Sequence, residues 1–215
     1  MIGMNPRARE DAMEAKRSNY EATKHQMQQQ FLTHDLTAVA AEWELDQTPD
    51  ALLLTFLGTD YAIDRLTGAV TFDDGGVRRE ADFNVCMTIF DILTRPRAHA
   101  AGEYMPIGSF SDVHTSAVLA GSFFDRSAKK LEGRCDALAE ICRKLGGEAW
   151  EKGDVSYRLP VFRDLRVIVQ FWDADEEFGT QLNFYCDQNL LCYMHYETMM
   201  FMLSHLAQKL AALCA

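Results

Sequence analysis

Three places in this 215-residue chain gather side chains able to do chemistry. The first is Trp172-Asp173-Ala174-Asp175-Glu176-Glu177-Phe178, where four carboxylates follow a tryptophan. Oxygen ligands converging on a loop suit a hard cation such as calcium or magnesium. The spacing departs from a calcium loop, because the sixth position from Asp173 is Phe178 instead of Gly and the twelfth is Phe184 instead of Glu. A charge-rich turn that discourages edge pairing is the stronger reading. Trp172 beside the acids keeps ligand binding in view, with Trp172, Asp175 and Glu176 as its residues, while period-2 alternation with Ile168 and Gln170 predicts a buried Trp172 ring.

The second place is Cys192 to Met199. Cys192 and His195 have the spacing of a metal knuckle, and Cys186 is near enough to be a third ligand. A lone Cys-x-x-His pair is weak, no fourth ligand follows, and Cys186 fits the apolar face of a strand, so no metal site is expected. His195 and Met199 are four apart, which would suit a haem or corrinoid ligand pair, but methionines at helical spacing more often fill a core. His195 is a further ligand-binding candidate, expected to form a functional or helix-starting polar site that faces the acidic tip. The third place holds Ser109, Ser111, Asp112 and His114. Asp112 and His114 join the ligand-binding candidates, although neighbours in sequence seldom form a catalytic triad. No Gly-x-Ser-x-Gly elbow or glycine-rich phosphate cradle occurs.

The elements around these residues read as α+β. Pro6–Phe31 carries no glycine and mixes acids with bases, as a helix with a largely solvated surface does. A short helix from Asp35 precedes strands at Ala51–Leu57, Tyr61–Asp64 and Ala69–Phe72, a three-stranded meander. Glu80–Thr94 is apolar on nearly every side and predicts a buried central helix. Gly102–Ser122 reads as a loop, with a short helix from about Ser116. Asp125–Leu145 reads as one helix, with Cys135 and Cys142 buried on its apolar stripe and Gly146-Gly147 as its cap. Strands at Asp154–Leu159, Leu165–Trp172 and Thr180–Cys186 make a second meander before a helix at Tyr196–Leu213. Links this short demand a mainly antiparallel sheet, and both meanders are expected to join it. Residues 1–30 form an N-terminal helical segment and residues 31–215 one domain.

Composition narrows the partners. The net charge of −11 repels phosphate backbones and anionic membrane surfaces, so no nucleic acid and no membrane is expected. No run approaches a membrane span and no secretory leader is visible, which points to the cytoplasm. Six cysteines without a Cys-x-x-Cys pair read as reduced thiols.

The chain resembles the bacterial and archaeal family known as domain of unknown function 3786. The resemblance rests on Asp35 to Ala40, Phe56 to Tyr61, Gly102-Glu103-Tyr104, Gly153-Asp154, Trp172 with Asp175 to Phe178, Asp187, and Tyr193 to Glu197. Some relatives carry a four-cysteine iron–sulfur domain and many belong to anaerobes, which implies redox or corrinoid biochemistry nearby; this chain has no such cysteine cluster. The resemblance brings no catalytic residues. A non-catalytic cytoplasmic accessory or small-ligand-binding domain is therefore expected, its partner a small molecule or a redox- or corrinoid-related protein. The alternatives are an enzyme using carboxylate acid–base chemistry and a protein-interaction module.

Overall fold

A computed structural model of the chain describes residues 6–110 and 123–215, with side chains from residue 19 onward. The glycine-free N-terminal stretch is helix α1 (Pro6–Phe31), whose last turns bury Lys24, Gln28 and Phe31. Helix α2 (Leu36–Glu42) begins where Asp35 Oδ1 accepts from the N–H groups of Thr37 and Ala38, at 2.9 and 3.2 Å. That N-cap satisfies donors a helix start leaves open.

Strands β1 (Asp46–Gln47), β2 (Ala51–Phe56), β3 (Thr59–Asp64), β4 (Val70–Asp74) and β5 (Val77–Glu80) form one antiparallel sheet in that order. Period-2 alternation puts Leu52, Leu54, Phe56, Tyr61 and Ile63 on its buried face. The short edge strands β1 and β5 are fully exposed and lack that alternation, so no hydrophobic pattern marks them in the sequence. Helix α3 (Phe83–Leu93) is the expected buried helix, capped by Asp82.

The second sheet has the order β6-β10-β9-β8-β7 and is also antiparallel. Its members are β6 (Tyr104–Pro106), β7 (Glu148–Ala149), β8 (Val155–Phe162), β9 (Leu165–Trp172) and β10 (Gln181–Asp187). The α+β class and the antiparallel pairing hold, but the meanders do not share one sheet. Among the described residues one backbone hydrogen bond links them, Leu57 N–H donating to Val161 C=O at 2.8 Å beside an irregularity between Pro160 and Phe162. Proline has no N–H to extend a ladder, and Leu57 turns away at φ 48, so pairing stops after one bond.

The expected helix over Asp125–Leu145 is two: α4 (Asp125–Leu131) and α5 (Cys135–Lys144). Gly133, at φ 69, breaks them apart. Within the expected loop, β6 and a 3-10 turn at Ile107–Ser109 are ordered elements; the short helix expected from Ser116 begins outside the described residues. After the short α6 (Leu190–Tyr193), helix α7 (Tyr196–Leu213) runs through the interior with Met199, Met202, Leu203, Leu206 and Leu210 all fully buried. It packs on α3, α4 and α5. Buried residues from both sheets and these helices form one hydrophobic cluster.

Candidate functional site

The residues singled out by sequence fall at opposite ends of the second sheet. The acidic tip joins β9 to β10 at the end where Trp172 pairs with Gln181. His195 follows Asp187, at the other end of β10, so it does not face the tip as expected. Asp112 and His114 lie outside the described residues.

At the tip, two of the four carboxylates, Asp173 and Asp175, hold the loop together. Both oxygens of Asp173 accept from Gly133 N–H at 3.0 Å, and Oδ1 also accepts from Ala174 N–H at 2.9 Å. Asp154 Oδ2 accepts from Asp173 N–H at 2.8 Å. Asp175 Oδ1 accepts from the N–H groups of Glu177 and Phe178, at 2.8 and 2.7 Å. These N–H bonds, those of Gly133 foremost at Asp173 and of Phe178 at Asp175, hold both carboxyls below the usual carboxylate range. Among the described residues no three His, Cys, Asp or Glu side chains converge as ligands to a metal.

Cys135, expected in the core, is instead half-buried, and its thiol donates to Asp173 Oδ2 at 3.6 Å. Burial and then the negative charge of Asp173 raise its pKa to about 11, so it stays a thiol at neutral pH. These residues, with Trp172, Phe178, Gly179 and Gln181, line an open cleft of about 750 Å³. Trp172 keeps 41% of its surface exposed there, although its place on β9 had suggested burial. Its strand-face neighbours Ile168 and Gln170 are buried, but Trp172 is the last residue of the strand and opens onto the cleft.

The outer face of this sheet carries residues that sequence reasoning passed over. One cross-strand row runs Ser156–Gln170–Asn183, and Trp150 joins it by donating its N–H to Ser156 C=O at 2.9 Å. Gln170 Oε1 accepts from Asn183 Nδ2 at 3.4 Å and from the Tyr185 hydroxyl at 3.3 Å; its Nε2 donates to Lys152 C=O at 3.3 Å. Ser156 and Gln170 are each 7% exposed, and Ser156 Oγ has no hydrogen-bond partner among the described residues. Gly153 sits at φ 114 with its backbone so close that a Cβ would lie 3.1 Å from Gln170 Cγ.

Beside that row, Arg158 pairs with Glu148, lies 5.5 Å from the Trp150 ring centre and is hydrogen-bonded to Tyr104. The rings of Tyr104 and Trp150 are 5.6 Å apart, centre to centre. Tyr104 is on β6 and Trp150 just past β7, opposite edges that a flat sheet would hold ~19 Å apart. Side-chain reach closes part of that gap and coiling of the sheet the rest, so this face is concave.

Two aspartates fasten β6 and the chain before it. Fully buried Asp187 accepts from Ala101 N–H at 3.0 Å, Gly102 N–H at 2.7 Å and Asn189 N–H at 2.8 Å. Asp164 accepts from the Tyr193 hydroxyl at 2.7 Å and Ala100 N–H at 3.1 Å. The pairing of Tyr104 with Asp187 in the ladder then places Tyr104 for its ring contact.

His195 is the N-cap residue of α7, and the cap itself comes from α3. Asp91 Oδ2 accepts from His195 N–H at 2.7 Å, and Oδ1 lies 2.8 Å from His195 Nδ1 and 3.0 Å from Arg95 Nε. The Thr198 hydroxyl also bonds Asp91. With so many donors, this carboxylate fastens α7 to α3. Met199 is fully buried, Cys186 lies in the core and Cys192 is exposed.

A groove of about 710 Å³ crosses the outer face of the first sheet. Rim groups there are engaged locally: Asp60 with Thr55, Asp73 with Gly76 N–H, Glu44 with Arg97, Arg78 with Thr71, and Arg163 with Trp43 C=O.

The architecture is an α+β domain of two five-stranded antiparallel sheets with its polar, aromatic concavity on the second. The chain belongs to the family described as domain of unknown function (DUF3786), whose model matches residues 35–209. No curated protein and no solved structure matches it.

Proposed function

We propose that this is a non-catalytic, cytoplasmic accessory domain that binds a small molecule at the outer face and tip of the second sheet. The observation that carries the reading is Trp172: an exposed indole at the mouth of a cleft, one residue pair from the buried amide of Gln170. Ligand sites typically combine aromatic walls with a few fixed polar groups. The tip carboxylates bonded to N–H groups pre-form the cleft, which lowers the ordering cost of binding. An excess of acidic side chains argues for a small molecule over nucleic acid as the partner. No helix among the described residues is long and apolar enough to cross a membrane.

A thermal-shift screen of small polar and aromatic compounds tests the reading, with Trp172→Ala as comparator. A compound at about a hundredfold excess over its Kd adds about 2.7 kcal/mol of stability. At this chain length that is a rise of roughly 5–10 °C in Tm. The rise should vanish in Trp172→Ala while that variant keeps its far-ultraviolet circular dichroism. A panel in which no compound raises Tm, or shifts that survive the substitution, rejects the site.

A further inference from the structure

Gln170 is a buried carboxamide with unspent hydrogen-bonding capacity. All three of its bonds are 3.3–3.4 Å long, beyond the usual 2.7–3.2 Å for N–H···O and the still shorter O–H···O range. Its cross-strand neighbour Ser156 is 7% exposed and has an unpartnered hydroxyl, and a buried polar group without a partner carries a desolvation cost. The backbone holding them is unusual as well: Lys152, whose carbonyl meets Gln170, has φ 65, and Gly153 has φ 114. Left-handed backbone at a residue with a side chain persists where the surroundings over-determine it, as at ligand clamps.

Two indoles flank this centre. Trp150 and Trp172 are 43% and 41% exposed on the same concave face, whereas Trp43, the third tryptophan, is fully buried. Stacking on an indole selects a flat ring. A carboxamide offers one donor and one acceptor in a plane, the pair that matches a ring edge presenting an acceptor and a donor side by side. Asn183 and Tyr185 are half-buried, so their long bonds to Oε1 can yield to a shorter one from a ligand.

Charge decides between neutral and phosphorylated forms of such a ring. Asp154, Asp173 and Asp175 line the adjoining cleft, and Glu176 is exposed beside it. The nearby cation Arg158 is already paired with Glu148 and bonded to Tyr104. Arg166, the other guanidinium on this face, donates to the Arg163 and Leu165 carbonyls at the far end of β9 from Trp172, and the carboxylates around the cleft repel a phosphate.

We propose that the outer face of the second sheet takes an uncharged nucleobase-like heterocycle, stacked on Trp172 with its donor–acceptor edge on Gln170 and reaching the Ser156 hydroxyl. This rests on the small-ligand reading above and adds the class of ligand.

Calorimetric titration with adenosine and uridine as probes, beside AMP, UMP and 3-methyluridine, tests it. Both nucleosides should bind at least tenfold more tightly than their monophosphates, and 3-methyluridine, whose edge donor is blocked, at least tenfold more weakly than uridine. Gln170→Met should weaken the nucleosides at least tenfold. Ser156→Ala should weaken them too while leaving Tm of the free protein unchanged or higher, which separates lost recognition from lost folding. Monophosphates binding as well as nucleosides, or affinity surviving Gln170→Met, overturns the proposal. If the nucleosides fail while another compound gives a Trp172-dependent thermal shift, the heterocycle is wrong and the binding face stands. If neither binds, both fall.

Discussion

His195 and Asp91 are joined twice, ring to carboxylate at 2.8 Å and backbone N–H to carboxylate at 2.7 Å. A matching pair, His205 Nδ1 to Asp82 Oδ2 at 2.9 Å, joins the start of α3 to the middle of α7. The pairs are ~14 Å apart along α3. Their crossed order shows that α3 and α7 run antiparallel, with α3 pinned at both ends. The carboxylates come from α3 and the imidazoles from α7.

Asp91→Ala should therefore cost much more than His195→Ala. The first removes the cap of α7 and a nearly buried acceptor of charged hydrogen bonds, about 2–4 kcal/mol together. The second leaves the backbone N–H capped and deletes an exposed ring, at about 1 kcal/mol or less. Denaturant midpoints of both variants measure the difference; equal losses would mean that the ring contact, and not the cap, carries the joint.

Acid should loosen the fold in a narrow range. Burial pushes Asp82, Asp91 and Asp164 upward, but hydrogen bonds outweigh it: from His205 at Asp82, from His195 N–H, Thr198 and Arg95 at Asp91, and from Tyr193 and Ala100 N–H at Asp164. Their folded values lie below the unfolded ones, so the stability they add is present above about pH 4 and is lost as pH falls through the folded values. Urea midpoints taken from neutral pH downward should stay level to about pH 4–5 and then drop. In Asp91→Asn the drop should be shallower, starting from lower stability.

Tryptophan substitutions should split by burial. Trp43 is fully enclosed against Phe162 and Tyr193, so Trp43→Ala should cost about 3–5 kcal/mol or prevent folding. Trp172→Ala removes a ring with 41% of its surface in water and should cost less, about 1–2 kcal/mol. Acrylamide quenching gives an independent check, with Trp43 as the shielded fluorophore that remains when Trp150 and Trp172 are both replaced by Phe. Strong quenching of that residual signal would contradict the packing.

Gly153→Ala should disturb Gln170 directly. The new methyl group would press on Gln170 Cγ and Phe171 C=O, both at 3.1 Å, in a backbone conformation alanine resists. Gly76→Ala isolates the backbone part of that cost, since its φ is 89 and nothing lies within 4 Å of the added atom. Gly153→Ala should lose about 1 kcal/mol or more on top of what Gly76→Ala loses, the excess being the contact with Gln170 and Phe171. Identical losses would show that Gln170 has room to move.

Much of the architecture was legible because long elements carry their own periodicity. The apolar residues of α7 and the alternation of β2, β3 and β10 reported faces as well as boundaries. What failed was non-local. Nothing in Leu57 or Pro160 announces that two strand ends will meet through one bond and go no further. Trp172 looked buried by parity with Ile168, yet a strand's last residue need not be covered. Gln170 and Ser156 were invisible as a site because each is an ordinary polar residue on a strand. Only the ladder sets them side by side, and only the coil of the sheet brings Trp150 onto Tyr104 beside them. The destination of His195 depended on Asp91, 104 residues earlier in the chain.

The placement of α7 has a consequence for how the protein is made. Its buried face completes the packing of α3, yet it leaves the ribosome more than a hundred residues after β5. At ordinary synthesis rates that interval is on the order of ten seconds. Throughout it, the apolar residues of α3 have no α7 to lie against. Ribosome-stalled chains ending before Tyr196 should stay protease-sensitive across the first sheet, and those with α7 fully emerged should not.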